Sequence, residues 1–402
     1  MNENQKKRIL YFIPEFSRLT ETFILREVGQ LIKNDKLDIT VLSIQKGSAP
    51  LGIEVEKRTF YERLNLLIFL QSFVIYLVRN FRGMFEAFSL VTSIDERPVF
   101  ERLKLFIKGV GYAKIFEKYN PDQIHAHFFS WPSTIALVVS KVLDVPLSIS
   151  AHARDIFVEG SLIKVKSQNS RFVAVCNEAA AKKCREIEGD TGNIYKIYHG
   201  VDLKDEFLLP STIEKPKRPV IFVGSRLVEK KGLNTVIEAS KILKDKGIDH
   251  EIHIVGPGPL YEKLVEYCKK LNVTDTVFIP GEGKGLPFTQ NVQYFKIADI
   301  FAHPSIKGKD GDIDGVPTYI IEAALAKLPI ITTNVGSISD LIDETTGIII
   351  PENDPETLAK EIKRLINNSA LRQSLGLRAY EKAESLFNLE KNTLTLENLF
   401  LK

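Results

Sequence analysis

The chain has 402 residues, too many for one ordinary core, and its 44% hydrophobic and 26% charged content fits globular rather than disordered protein. Its net charge of +3 is too weak to argue for nucleic acid, although residues 1–200 carry 28 Lys+Arg against 22 Asp+Glu and residues 201–402 carry 26 against 29. Three cysteines (Cys176, Cys184, Cys268) lack the spacing of a disulfide framework or a metal site, which favours a reducing, cytoplasmic setting.

The opening MNENQKKRILYFIP has too short an apolar run for a secretory signal. Apolar runs predict strands at Arg8–Ile13 and Asp38–Ile44 around a helix over Thr22–Lys33, then helices near 61–90 and 98–119. Within the first of these, Leu64–Val78 (LNLLIFLQSFVIYLV) is unusually apolar and is flanked by Lys57, Arg58, Arg63, Arg79 and Arg82. It falls short of the roughly 20 apolar residues that span a bilayer. Two readings stand: a buried core helix, or a helix lying in a membrane interface, with residues 57–82 as the contact.

Strands Gln123–His127, Leu147–Ala151, Arg171–Cys176 and Asn193–Tyr198 follow, separated by helices Ser133–Leu143 and Asn177–Ile187. Asp202–Pro219, with Pro210, Pro216 and Pro219, reads as a connection between domains. The alternation then restarts. Strands are predicted at Val220–Val223, Glu251–Val255 and Val277–Ile279, with helices at Leu233–Lys246 and Pro259–Leu271. Two further strands, one more at Gly347–Ile350, and helices near 354–367 and 371–387 complete the pattern. Strands separated by helix-length segments imply parallel pairing, hence two successive α/β domains. Chemistry in such sheets belongs on the loops beyond the strands' carboxyl ends.

VGSRLVEKKG (Val223–Gly232) places Arg226 and Lys231 on the loop entering a helix, a cradle suited to a diphosphate, or else simply two solvated cations. VGPGPL (Val255–Leu260) is a second strand-to-helix turn, whose Gly256 and Gly258 would let a ligand approach the backbone. The run from Ala298 to Thr333 reads as strand, Gly/Asp loop, helix opening at Pro317, and strand. Its Asp310, Asp312 and Asp314 invite a calcium-loop reading. That reading fails, because the position requiring Glu is Ile321 and Glu322 comes one residue late. An Asp-Gly-Asp metal–nucleotide site is the alternative left. Proline in the first turn leaves Asp314 on the loop and Glu322 in the second turn of the helix, so both can face one ligand. Glu322 sits among Ile320, Ile321, Ala323 and Ala324, a setting for a satisfied or liganded acid rather than a solvated one.

In the first half, His125, His127, His152 and His199 fall at predicted strand ends, and His152 has Arg154 and Asp155 beside it. A lone histidine is usually structural; Asp155 nearby could orient one. The segment Ile13–Val28 offers Ser17, Thr20, Glu21 and Thr22 as caps and hydroxyls, and capping alone explains most of it.

Taken in order, the loop VGSRLVEKKG, VGPGPL, ADIFAHPS, DGDIDGVPTYIIEAALAKLPIITTNVGSISDLI and GIIIPENDPETLA resemble the retaining glycosyltransferases of family 4 over nearly the whole chain. LTETFILRE, IHAHFF and SAHARDIF further resemble enzymes that build bacterial exopolysaccharides of the colanic-acid or amylovoran kind. The resemblance implies the GT-B fold, two Rossmann-like doubly wound domains facing an interdomain cleft. It implies an acceptor domain over 1–205, a donor domain over 206–385, and a helix over 386–402 returning to the first domain. It also implies an enzyme that moves a sugar from a nucleotide diphosphate sugar, a UDP-sugar for preference, with retention of configuration. The acceptor would be a glycan or a polyprenyl-diphosphate-linked sugar, and no metal or other cofactor is expected. The setting would be cytoplasmic, peripheral to the inner face of the plasma membrane.

By the same resemblance, Arg226 and Lys231 hold the donor diphosphate and Glu322 the ribose. The helix after Pro317 offers N–H groups to the phosphates, so that Gly315, Val316, Pro317 and Thr318, with Gly256 and Gly258, line the donor. Asp314 takes the first acidic position of the family's Glu-x7-Glu pattern, one methylene shorter. His152 matches the first-domain histidine that contacts the transferred sugar or aids catalysis, and it is expected to be catalytic together with Asp314, Arg226 and Lys231. PEFSRLTET replaces the family's glycine-rich first loop, so Ser17, Thr20 and Glu21, with His127, Arg154 and Asp155, are expected on the acceptor side. Two other readings share this architecture: a nucleotide-sugar 2-epimerase, and a non-catalytic sugar-nucleotide-binding partner.

Overall fold

The computed structural model describes residues 6–18, 21–93, 98–189, 192–202, 207, 210–308 and 315–402. It divides into two compact units: Met1–Gly200 with Leu389–Lys402, and Val201–Asn388.

The first unit is built on seven parallel strands: β1 (Lys7–Phe16), β2 (Leu37–Lys46), β3 (Thr59–Tyr61), β4 (Gln123–His127), β5 (Leu147–Ala151), β6 (Val173–Val175) and β7 (Ile194–Lys196). Their order is β3-β2-β1-β4-β5-β6-β7. Side-chain alternation along β1 divides its apolar residues between two cores. Leu10 and Phe12 join the cluster beneath the helix Trp131–Leu143, whereas Ile9, Tyr11 and Ile13 pack with Phe400 and Leu396 of the C-terminal helix. A sheet covered on both faces explains why its strands read as continuous apolar runs.

The second unit repeats the plan with β8 (Val220–Gly224), β9 (Glu251–Val255), β10 (Val277–Phe278), β11 (Ile300–His303), β12 (Ile330–Thr333) and β13 (Ile348–Ile350). Their order is β10-β9-β8-β11-β12-β13, again all parallel. In each sheet the winding reverses once, between β1 and β4 and between β8 and β11. The crevice beyond the strand ends at such a reversal is where ligands bind in doubly wound sheets.

The segment predicted as one helix near 61–90 is two, Leu66–Arg79 and Phe81–Thr92, meeting at 110°. Asn80 breaks it. Its side-chain oxygen accepts the Gly83 N–H (2.9 Å) while its amide donates to the carbonyls of Lys141 and Val142 (3.2 and 2.9 Å). The buried-core reading of Leu64–Val78 is also overturned, because Leu67, Val74 and Val78 are 65%, 64% and 81% exposed. Among the described residues, no single helix is long and apolar enough to cross a membrane. The helix Phe288–Ile297 was not anticipated; its weak apolar periodicity hides it.

Candidate active site

In the first unit the reversal brings histidines into a chain. His127 ends β4, His152 follows β5, and His199 follows β7. His127 Nδ1 lies 3.3 Å from His152 Nε2, and His152 Nδ1 lies 3.2 Å from His199 Nε2. Phe23 stacks on His199 at 4.0 Å between centroids, and Phe128 meets His152 edge-on at 4.9 Å. Burial pushes the His152 imidazole well below its ordinary range and the His199 ring down to about 3. Both His152 nitrogens are engaged along the chain, so a nitrogen at one end of it is the one left to meet a hydroxyl.

Asp155 is placed differently from expectation. Its carboxylate accepts the backbone N–H of His152 (2.8 Å) and of Phe129 (2.5 Å), so it pins the turn after β5 and not the imidazole. Burial raises its pKa to about 7 in spite of those two donors. Arg154 points outward and pairs with Glu159. Ser17 is buried with its hydroxyl donated to the Ala49 carbonyl at 2.8 Å, a structural use. Glu21 leads into the helix Thr22–Asn34 and is paired with Arg18 (3.3 Å); burial raises its pKa. Thr20 lies outside the described residues.

Glu27 was missed. Its carboxylate accepts the Tyr11 hydroxyl (3.2 Å) and stands 3.5 Å from His127 Nε2. The sequence signal was available: Glu27 lies three residues from Ile24 and four from Leu31, both buried on the inner face of one helix. The donor atoms of His152, Cys176 and His199 lie within 4.8 Å of one another, as do those of Glu27, His125 and His127. The second set is the poorer cation site, because both His125 nitrogens already bond the hydroxyls of Ser148 (2.8 Å) and Ser150 (3.0 Å).

In the second unit, the turn after β8 carries Arg226, exposed, and Lys231, only 6% exposed. Lys231 Nζ lies 3.5 Å from His303 Nε2 at the end of β11, so the cation stands across the reversal point. The two loops are tied together: Ile306 N–H donates to the Lys230 carbonyl at 2.9 Å. Gly232 is left-handed (φ 61°), and a Cβ there would lie 2.0 Å from the Pro304 carbonyl oxygen.

The helix Thr318–Leu325 begins after Pro317, and Glu322 is buried on it. Tyr319 of the same helix covers β8; a Cβ on Gly224 would meet its ring at 2.1 Å. Arg226, Lys231 and the start of this helix therefore cluster at one end of β8 and β11. Gly256 and Gly258 have a different cause from the one predicted. A Cβ at Gly256 would lie 1.8 Å from Ser225 O, and one at Gly258 would lie 2.4 Å from Leu227 O, so the close neighbour is the Arg226 turn itself. Gly315, Val316, Pro317 and Thr318 are half-buried around the helix start. Asp310, Asp312 and Asp314 lie outside the described residues.

Residues 205–382 match the family Glycosyl transferases group 1. The match covers under half of the chain and falls within the second unit. The chain is 32% identical over 183 residues to the putative colanic acid biosynthesis glycosyltransferase WcaL of Escherichia coli (strain K12), covering 44% of each chain. It is 34% identical over 181 residues to the amylovoran biosynthesis glycosyltransferase AmsK of Erwinia amylovora, covering 45% of this chain and 43% of that one. These matches span under half the length of either relative. The Anabaena protein Alr3699/HepE, solved in complex with UDP, is similar in fold over 98% of both chains, with a TM-score of 0.69 at 14% identity. Both units thus have the doubly wound form of the GT-B fold, and the cluster around Lys231 lies within the residues that match the family.

Proposed function

We propose that the chain transfers a sugar from a nucleotide diphosphate sugar, a UDP-sugar, to a glycan or polyprenyl-diphosphate-linked acceptor during cell-surface polysaccharide synthesis. The observation that carries this reading is Lys231, a buried cation at the strand reversal within the residues that match the group 1 glycosyl transferases, facing His303. The place of Lys231 beyond the strand ends of a doubly wound sheet suits a donor diphosphate, and Arg226 on the same turn can fork onto it. The carboxylate of Glu322 would accept ribose hydroxyls, with N–H groups at the start of its helix directed to phosphate. The UDP in the HepE complex supports uridine as the base.

On this reading the reaction needs no metal. Lys231, Arg226 and the helix N-terminus hold the negative charge that develops as the sugar's C1–O(phosphate) bond breaks. The acceptor oxygen bonds C1 on the same face and its proton passes to the departing phosphate oxygen, giving retention without a carboxylate nucleophile. By the family resemblance His152 would serve the transferred sugar, giving up its bond to His127 or His199 to take a sugar hydroxyl. Glu21 and His127 belong with the acceptor. The enzyme would work in the cytoplasm, peripheral to the membrane that holds its lipid-linked acceptor.

Calorimetry with UDP and a panel of UDP-sugars tests the donor site. Lys231→Ala should weaken UDP binding about tenfold to a hundredfold, the loss of one or more charge-assisted bonds. Unchanged affinity would remove the phosphate assignment. A transfer assay with undecaprenyl-linked sugars, run with and without EDTA and read by NMR at the new anomeric centre, tests metal independence and retention. Epimerised sugar from donor alone would instead make the chain a 2-epimerase, and UDP-sugar binding without transfer a non-catalytic partner.

A further inference from the structure

The helices Leu66–Arg79 and Phe81–Thr92 are amphipathic the wrong way round for a protein in water. On the first, the side turned inward bears polar groups: Ser72 donates to the Gly111 carbonyl (2.9 Å) and Tyr76 to the Glu117 carboxylate (2.8 Å). The side turned outward is an apolar stripe through Leu67, Leu70, Val74 and Val78. On the second helix Met84, Ala87 and Val91 are buried, while Phe85 is 63% exposed and Phe81 and Phe88 flank it one turn away. Both helices pack on Val99–Glu117, which adds exposed Phe100 and Ile107. Among the described residues, 13 of the 24 exposed large hydrophobic side chains fall within 66–107, so the exposure is one patch rather than scatter.

The charge around the patch is net positive. Residues 63–114 hold eight Lys+Arg and four Asp+Glu, a net +4 against +3 for the whole chain. Arg63, Arg82, Lys104 and Lys108 are exposed, and Glu86 is already paired with Lys141 (2.6 Å). The helices have 14 and 12 residues, so they are about 21 and 18 Å long, short of the roughly 30 Å hydrocarbon layer. Aliphatic and phenyl side chains ringed by arginine and lysine suit insertion into one leaflet, stems in the acyl region and cations at the phosphates.

We propose that this three-helix face docks the first domain onto an anionic lipid bilayer, with the elbow at Asn80 lying in the headgroup–acyl boundary. The inference stands on the first domain alone and does not depend on the transfer reaction.

Flotation of the full chain with vesicles tests it. The chain should float with vesicles of phosphatidylcholine mixed with phosphatidylglycerol, and much less with phosphatidylcholine alone. Arg63→Gln with Arg82→Gln should weaken the binding about fivefold per cation removed, and Val74→Asp with Phe85→Asp about tenfold or more. These side chains are exposed, and an unchanged melting temperature in each variant identifies the loss as one of docking. UDP calorimetry on the same variants should match the wild type. Absence of wild-type UDP binding with flotation intact would overturn the donor reading alone. The docking proposal is overturned if the wild type stays unbound to both vesicles, or if the aspartate variants float as well as it does. Sedimentation showing a dimer that Phe85→Asp dissociates, without flotation, would likewise overturn it in favour of self-association.

Discussion

The chain His127–His152–His199, with His125 beneath it, makes the first domain sensitive to acid. His125, His152 and His199 are held neutral by burial, His199 down to about 3. Below their ordinary value of about 6.5 the unfolded chain takes up protons that the fold excludes, so their contribution is lost as pH falls. Asp155 acts in the opposite sense: with a folded value of about 7 it holds a proton that the unfolded chain loses near its ordinary value, so its contribution is lost as pH rises. Three imidazoles outweigh one carboxyl. Asp122, held low by the hydrogen bond from Arg8, adds to the acid-side loss. The urea midpoint should therefore be higher at about pH 6.5 than at about pH 4.5, and the reverse order would refute the neutral-histidine assignment. If His152 serves the sugar and not the nucleotide, His152→Ala should leave UDP binding unchanged while lowering turnover about a hundredfold. The same residues show where reading a sequence stops. His152 was legible as a histidine at a strand end, but its partner His199 is 47 residues away and reaches it only because β5, β6 and β7 lie side by side.

Among the elements, the strands were the most legible, since strands buried on both faces are written as short apolar runs. The elbow at Asn80 was not, because an Asn between two apolar stretches looks like one polar helix position until its amide finds the Lys141 and Val142 carbonyls. Apolar content likewise revealed that Leu64–Val78 is helical but not which side faces inward, a choice made by Gly111 and Glu117 on a neighbouring helix. The βα turns teach a related lesson. Gly256 looked like a ligand-facing glycine, yet its missing Cβ makes room for Ser225. Gly256→Ala should cost more than about 1 kcal/mol in stability. By pushing the Arg226 turn aside it should also weaken UDP binding, which thermal melting and calorimetry would show together; a variant as stable as wild type would mean the two turns are not in contact.

At the scale of the molecule, the chain's last helix, Leu389–Leu401, belongs to the first compact unit. Phe400 is fully buried against Tyr11, His125 and Phe172, and its carbonyl accepts the Lys7 ammonium. Phe400→Ala should cost about 3–5 kcal/mol, read by urea denaturation. UDP binding should survive in native buffer, because the residues assigned to it lie in the other unit. The amino-acid sequence alone determined the α/β class, the two successive runs of parallel strands, and the loop residues Arg226, Lys231 and Glu322, because local apolar periodicity and loop chemistry are properties of neighbours in the chain. Tertiary structure alone decided that Lys231 faces His303, that three histidines line up, and that an apolar helix turns its greasy side outward. Those relations join residues tens of positions apart, and only the order of strands in each sheet and the packing of helices upon it brings them within a few ångströms.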